Sequence, residues 1–196
     1  MKRNIAIIQG HPDPDGARFA RALEAAYTAG AKANGHSVRV IDVATLGFPL
    51  VRSKHEWEHG EPPDCIVGAQ SIIRWADHLL IIYPLWAGSM PALLKGFFEQ
   101  AFRPRFAFDE EGKHGGKLAG RSARIVVTMG MPAVVYRWFF RAHSVKSLQR
   151  NILHYCGIGP IKVSLIGSVD DPDPAHRKRW LERMRDFGTE ADVGFF

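Results

Sequence analysis

Apolar residues fall into short runs of two kinds along this chain. Asn4 to Gln9 (NIAIIQ) is a brief β-branched run closed by Gly10 and two prolines, which predicts a buried strand rather than part of a helix. From Ala17 to Ala33 the period lengthens. Phe19, Leu23, Ala26 and Tyr27 recur at helical spacing, and Asn34-Gly35 supplies the C-terminal stop. Ser37 to Val43 alternates as a second strand, and Leu46 to Pro63, rich in charge, proline and aromatics, reads as a surface loop. Ile66 to Ala76 returns to helical spacing. His78 to Tyr83 (HLLIIY) is almost continuously apolar, so both of its faces must be covered, the mark of a central parallel strand. Pro91 to Phe102 predicts a helix opened by proline, with Leu94, Phe97, Phe98 and Ala101 as its buried stripe. Arg124 to Met129 gives a fourth strand, Ser144 to Tyr155 a helix, Ile161 to Ile166 a fifth strand, and Pro174 to Phe187 a last helix.

Five strands alternating with helices, joined by right-handed crossovers, point to an α/β fold. Its simplest form is a doubly wound five-stranded parallel sheet of order 2-1-3-4-5 with helices on both faces. The length of 196 residues fits one domain over 1–196, and 46% hydrophobic with 23% charged residues is ordinary globular composition. No apolar run reaches the ~20 residues that span a bilayer, and the N-terminus enters a strand without a signal-peptide core. The expectation is a cytoplasmic protein without membrane insertion. Cys65 and Cys156 lack disulfide-framework or metal-ligand spacing and read as inert buried thiols. Lysine plus arginine exceed aspartate plus glutamate by 26 − 20 = 6, which favours anionic partners. The basic cluster from Arg177 to Arg185 reads as a solvated helix face, without a nucleic-acid motif. His55 and His59 stand four apart without a third ligand or HExxH order, so no metal is expected. Ser89 lies in no GxSxG elbow, which argues against a serine hydrolase.

In such a sheet, ligands bind beyond the carboxyl ends of the strands where the strand order reverses, here between strands one and three. Three loops meet there. Gly10 to Ala17 has neither GxGxxG nor GxxxxGK[ST]. It offers a turn at Asp15-Gly16 and free N–H groups at a helix start that favour a phosphate, with His11 and Arg18 as further donors. The alternative is that His11 only closes the strand and Arg18 is solvated. Pro84 to Pro91 (PLWAGSMP) sets the Trp86 wall beside small residues, which suits a flat ligand; N–H groups around Ala87 and Gly88 could stabilise negative charge on a reduced ring. The third loop and the stretch after it carry Thr128, Gly130, Pro132, Tyr136 and His143. Tyr136 or His143 is a candidate donor to a substrate oxygen, while Tyr136 to Phe140 reads equally as an interface or a core stripe.

Gly10-His11-Pro12, Phe19, the segment PLWAGSMPALLKGFFEQAF at Pro84 to Phe102, and ILHYCG at Ile152 to Gly157 carry a resemblance. They are similar to the NAD(P)H:quinone oxidoreductase family of flavodoxin-like flavoproteins, which includes DT-diaphorase and its shorter bacterial relatives. The resemblance implies a flavodoxin-like homodimer with a flavin in each of two sites at the subunit interface. NADPH or NADH would reduce the flavin and a quinone reoxidise it, with hydride passing through flavin N5 in ping-pong order. It places the flavin phosphate at His11, Gly16, Ala17, Arg18 and Phe19, the isoalloxazine along Pro84, Leu85, Trp86, Ala87 and Gly88, and its far side at Thr128, Met129 and Gly130. Tyr136 and His143 match the family's catalytic pair only approximately in spacing. The family's phosphate-loop serine is replaced by Gly16, and its glycine pair after strand four appears as Met129-Gly130-Met131. The C-terminal extension of larger members is lacking, which favours FMN and leaves FAD open. A second role implied by the family is a regulatory subunit of a membrane transporter of the potassium-efflux type. A flavodoxin-type electron carrier is disfavoured by the net charge of +6.

Overall fold

The computed structural model describes residues 2–109 and 116–191. Strands β1 (Asn4–Gln9), β2 (Ser37–Asp42), β3 (His78–Pro84), β4 (Ser122–Thr128) and β5 (Ile161–Ile166) all pair in parallel, in the order β2-β1-β3-β4-β5. The almost continuous apolar run of β3 has the predicted consequence that all its residues are buried, and every residue of β4 is buried as well. Between the strands run α1 (Phe19–Ala33), α2 (Lys54–His59), α3 (Asp64–Trp75), α4 (Ala92–Ala101), α5 (Ala133–Trp138), α6 (His143–Ser147) and α7 (Pro174–Glu190). The expectation of one domain over 1–196 also takes in residues 1, 110–115 and 192–196, which lie outside the described residues. Among the described residues, no helix is long and apolar enough to cross a membrane.

Strand alternation sorts the core into two layers. Ile5, Ile7, Leu80, Ile82 and Val126 pack with Leu23 and Tyr27 of α1 and Met184 of α7. Ala6, Ile8, Leu79, Ile81, Ile125 and Val127 face the other way, onto Ile73 of α3, Leu94 and Phe97 of α4, and Leu148 and Leu153 beyond α6. Edge strand β2 is largely open to solvent, as an edge strand with alternating polarity should be.

Two segments differ from the sequence expectation. Leu46 to Pro63 is not all loop: Ser53 accepts the Glu56 N–H at 3.1 Å, and the Glu56 carboxylate accepts the Arg52 N–H at 2.9 Å. This side-chain capping starts α2, a helix too short to show a period. Its far end is held by buried Arg103, whose Nη1 donates to the carbonyls of Glu56 and Gly60 at 2.9 and 2.8 Å. The predicted helix from Ser144 to Tyr155 is α6 followed by a wider π-helical stretch, Leu148–His154, and α5 stands where only loop was expected.

Helices α1 and α7 meet backbone to backbone. A Cβ on Gly30 would lie 2.0 Å from the Arg185 carbonyl oxygen, and one on Gly188 would lie 2.1 Å from that of Tyr27. Backbone cannot rotate out of the way as a side chain can, so Gly30→Ala is expected to cost about 1–3 kcal/mol or more in urea unfolding. An unchanged midpoint would disprove this contact.

At the amino end of β3, buried His78 lies 2.8 Å from Ser122 Oγ through Nδ1. Burial, helped by nearby Arg124, lowers its pKa to about 3. The unfolded chain, with a histidine pKa near ~6.5, therefore takes up the proton first as pH falls. The neutral ring's contribution is complete above that value and is lost progressively toward pH 3. His78→Asn is expected to lose less stability than wild type between neutral and acid pH; parallel losses would exclude His78 as a source of the acid sensitivity.

Candidate functional site

The three loops after β1, β3 and β4 meet at the carboxyl edge of the sheet, and their geometry is set by side chains at the strand ends. Buried Gln9 closes β1. Its Nε2 donates to the Ala20 carbonyl at 3.2 Å and to Glu24 at 2.8 Å, while its Oε1 accepts the His11 N–H at 3.2 Å. Gly10 donates to the Ile82 carbonyl at 2.7 Å, and a Cβ there would stand 2.6 Å from the Leu94 side chain of α4, which would have to shift to make room. Arg21 of α1 holds Asp42, at the end of β2, through two bonds of 2.7 and 2.9 Å.

The first loop is a chain of side-chain-to-backbone bonds. Asp13 N–H donates to His11 Nδ1 at 3.1 Å, Asp15 N–H to Asp13 Oδ1 at 2.9 Å, and Ala17 N–H to Asp15 Oδ1 at 3.0 Å. Arg18 is neither free nor simply solvated: its Nε and Nη2 hold Asp13 Oδ2 at 2.8 and 2.6 Å. The Asp15 N–H chiefly, with Arg18 adding, keeps the Asp13 carboxyl below its usual range. Helix α1 has no side-chain cap, so the N–H groups of Phe19 and Ala20 in its first turn are left for another acceptor. At Gly16 a Cβ would meet nothing within 4 Å.

The second loop is a tight reversal. Trp86 and Ser89 exchange two backbone hydrogen bonds of 2.9 Å, and Ala87 (φ 47°) and Gly88 (φ 75°) both take left-handed conformations between them. In such a two-residue turn the two central N–H groups are not used by the turn itself. The Trp86 indole is 50% exposed and meets the His11 ring edge-on, with centroids 5.8 Å apart. Loops one and two thus touch through two of the predicted residues. Leu85 N–H donates to the Thr128 carbonyl at 2.7 Å, which joins the second loop to the third. Pro84 and Thr128 are buried at their strand ends, and Phe19 is half-buried. The third loop is braced from β5: Met129 N–H donates to the Ile166 carbonyl at 2.8 Å, and a Cβ on Gly130 would lie 2.7 Å from Asp170 Oδ2.

The structure separates the two residues predicted to act on substrate. Tyr136 is 2% exposed and its hydroxyl lies 3.1 Å from Ser144 Oγ, so it belongs to the core. His143 is exposed at the start of α6. The cavity of about 420 Å³ beside Trp86, Ala87 and Ser89 is instead lined by Ser144, with Lys95, Ser147 and Ile152 as further walls. Those last three also line a neighbouring cavity of about 730 Å³, which Trp57, Phe98, Phe102 and Tyr155 enclose. Sequence reading missed Gln9, Asp13, Ser144 and Lys95. The DPD of the first loop was a visible turn signal, but nothing in the chain order announces Ser144 as Tyr136's partner. The His55 and His59 rings lie 5.2 Å apart, and among the described residues no group of three metal-ligating side chains forms.

A family profile described as flavodoxin-like fold matches residues 3–187. The chain belongs to this flavodoxin-like family. A relative from Haemophilus influenzae, named an uncharacterized NAD(P)H oxidoreductase, is 28% identical over 184 residues, 91% of either chain. Human ribosyldihydronicotinamide dehydrogenase [quinone] is also 28% identical, across 65% of this chain and 59% of its own length. The potassium-efflux ancillary protein KefG of Cronobacter sakazakii is 38% identical, but over only 35% of either chain. Among solved structures, NAD(P)H:quinone oxidoreductase from Methanothermobacter marburgensis superposes with a TM-score of 0.85 at 24% identity, with both chains fully covered.

Burial lowers the His11 pKa, against the raising effect of Asp13. A proton NMR titration of this flavodoxin-like chain is expected to give a His11 midpoint below 6.5, lower still in Asp13→Asn. A midpoint at or above 6.5 would contradict the burial argument.

Proposed function

We propose that this chain is a flavin-dependent NAD(P)H oxidoreductase that passes electrons to quinones or similar two-electron acceptors. The observation that carries the reading is the His11 to Trp86 contact. It sets an uncapped helix start, suited to a phosphate, against a half-exposed indole beside open turn N–H groups, suited to a flat ring. The names of the Haemophilus influenzae and human relatives support the nicotinamide and quinone parts. When bound, the flavin supplies hydride transfer through N5, from NADPH or NADH and then to the acceptor in ping-pong order.

The chain's own groups have separable tasks. The N–H groups of Gly16, Phe19 and Ala20 would face the flavin phosphate, with Arg18 turning to it from Asp13 and the Ala17 N–H from Asp15. We take the flavin to be FMN, with FAD as the alternative, because a terminal phosphate asks for one anion site and this loop supplies one. Pro84, Leu85 and Trp86 flank the ring, Ala87 and Gly88 offer N–H groups to its developing negative charge, and Thr128, Met129 and Gly130 close the far side. Acceptor and nicotinamide would take turns in the cavity beside Trp86, which Ser144 helps to line. Tyr136 acts as a positioning residue through Ser144, and His143 remains a candidate donor from the rim. We take the working unit to be a cytoplasmic homodimer of one domain per chain. The transporter-subunit reading rests on likeness to KefG over about a third of the chain and has no feature of the site in its favour.

Purified protein is expected to bind FMN, to lose its yellow colour on adding NAD(P)H, and to regain it with a quinone. Trp86→Ala is expected to weaken FMN binding about tenfold through lost ring contact. A colourless protein whose melting temperature rises with neither FMN nor FAD would overturn the proposal.

A further inference from the structure

Gln9 stands where the strand pattern calls for an apolar side chain. Ile5 to Ile8 of β1 are apolar and buried, and Gln9 continues the face of Ile5 and Ile7 onto α1, yet it sets a fully buried amide there. A buried amide is destabilising unless its donors and its acceptor are all matched, and a methionine or leucine would fill the same space without that demand. Here the match is complete. Nε2 gives one hydrogen to the Ala20 carbonyl at 3.2 Å and the other to Glu24 Oε2 at 2.8 Å, and Oε1 accepts the His11 N–H at 3.2 Å. The reverse orientation of the amide would set oxygen against a carbonyl and a carboxylate, and N–H against N–H, so the side chain has a single setting.

Both ends of this line of bonds are fixed. Glu24 Oε2 lies 4.0 Å from Arg21 Nη1, which holds Asp42 Oδ2 at 2.7 Å, and the side chains of Arg21 and Glu24 are only 14% and 17% exposed. Arg21 also reaches the Asp13 carbonyl through Nη2 at 3.5 Å. At the other end is His11. Its backbone N–H is on Gln9 and its Nδ1 accepts the Asp13 N–H at 3.1 Å, so the ring is a neutral imidazole with its proton on Nε2. In that setting it meets Trp86 edge-on, with centroids 5.8 Å apart. All of these bonds are made within one chain on the α1 face of the sheet, whereas Tyr136 of α5 and Val145 of α6 pack on the opposite face.

We propose that Gln9 is a positioning residue for the flavin, acting through His11. Its amide clamps the His11 backbone, and the clamp keeps the ring in one tautomer with its edge on Trp86. Nε2–H is then the ring's one donor, held ready for the flavin at this loop. Glu24 sets the amide, and Arg21 sets Glu24 from the end of β2. The flavin's part in this proposal rests on the redox reading above; the clamp on His11 does not.

The test uses the full chain, first free of flavin and then titrated with FMN. Nitrogen NMR shifts of the His11 ring, read without flavin, report the tautomer, and the titration reports affinity. Wild type is expected to show one protonated and one unprotonated ring nitrogen. In Gln9→Met, which keeps the volume and removes the amide, the two shifts are expected to move toward the averaged values of a free imidazole, and the FMN dissociation constant to rise about tenfold. Glu24→Leu is expected to follow Gln9→Met, whereas Glu24→Gln, which keeps an acceptor for the Gln9 amide, is expected to retain the wild-type shifts and affinity. Circular dichroism confirms that each variant folds, and the Glu24 pair decides if Gln9→Met does not. Wild-type ring shifts and FMN affinity in a folded Gln9→Met, whatever its melting temperature, would make Gln9 a core residue only and overturn the proposal. Altered shifts with unchanged FMN affinity would overturn its positioning role. A chain with the expected ring shifts that binds no flavin would fail the redox reading, and with it the flavin's part here, while the clamp on His11 would stand.

Discussion

Coverage of β3 and β4 on both faces is the constraint from which the rest of the molecule follows. A strand with no polar face cannot lie against water. Its neighbours must therefore be strands, and its two sides must be helices. Parallel pairing with crossovers meets that demand and carries the chain back to the same edge after each helix, so the loops after β1, β3 and β4 gather in one place. The site is a by-product of how the core is closed.

Elements whose pattern was long and apolar were legible in the sequence, and so was their order. HLLIIY could be little else than a central strand, and the helical spacing of Phe19, Leu23 and Tyr27 survives in α1 with a shift of its start from Ala17 to Phe19. Short elements were not legible by period. Helix α2 depends on Ser53, Glu56 and the reach of Arg103 from elsewhere in the chain, and only the first two are local. For the same reason Tyr136 was ambiguous. Its neighbours in sequence are exposed, and its burial is fixed by Ser144 across a turn that two left-handed residues create.

The candidate site was legible as three loops and less so as chemistry. Pattern alone placed His11 and Trp86 on different loops, and their edge-on contact is a tertiary fact. Asp13 shows the opposite failure. It is adjacent to the residues that were singled out, yet its charge-neutralising hold on Arg18 changes what that arginine has to offer an anion.

The turn at Ala87 and Gly88 has a consequence of its own. Alanine held at positive φ is disfavoured by roughly 1–2 kcal/mol, so local preference alone would relax this backbone. The paired bonds between Trp86 and Ser89, the tether from Leu85 to Thr128 and the start of α4 at Pro91 forbid that relaxation. This stiff support carries a half-exposed indole, whose ring meets the edge of His11. A flat molecule that stacked there would meet a turn whose backbone is already fixed, and would have little ordering left to impose on it.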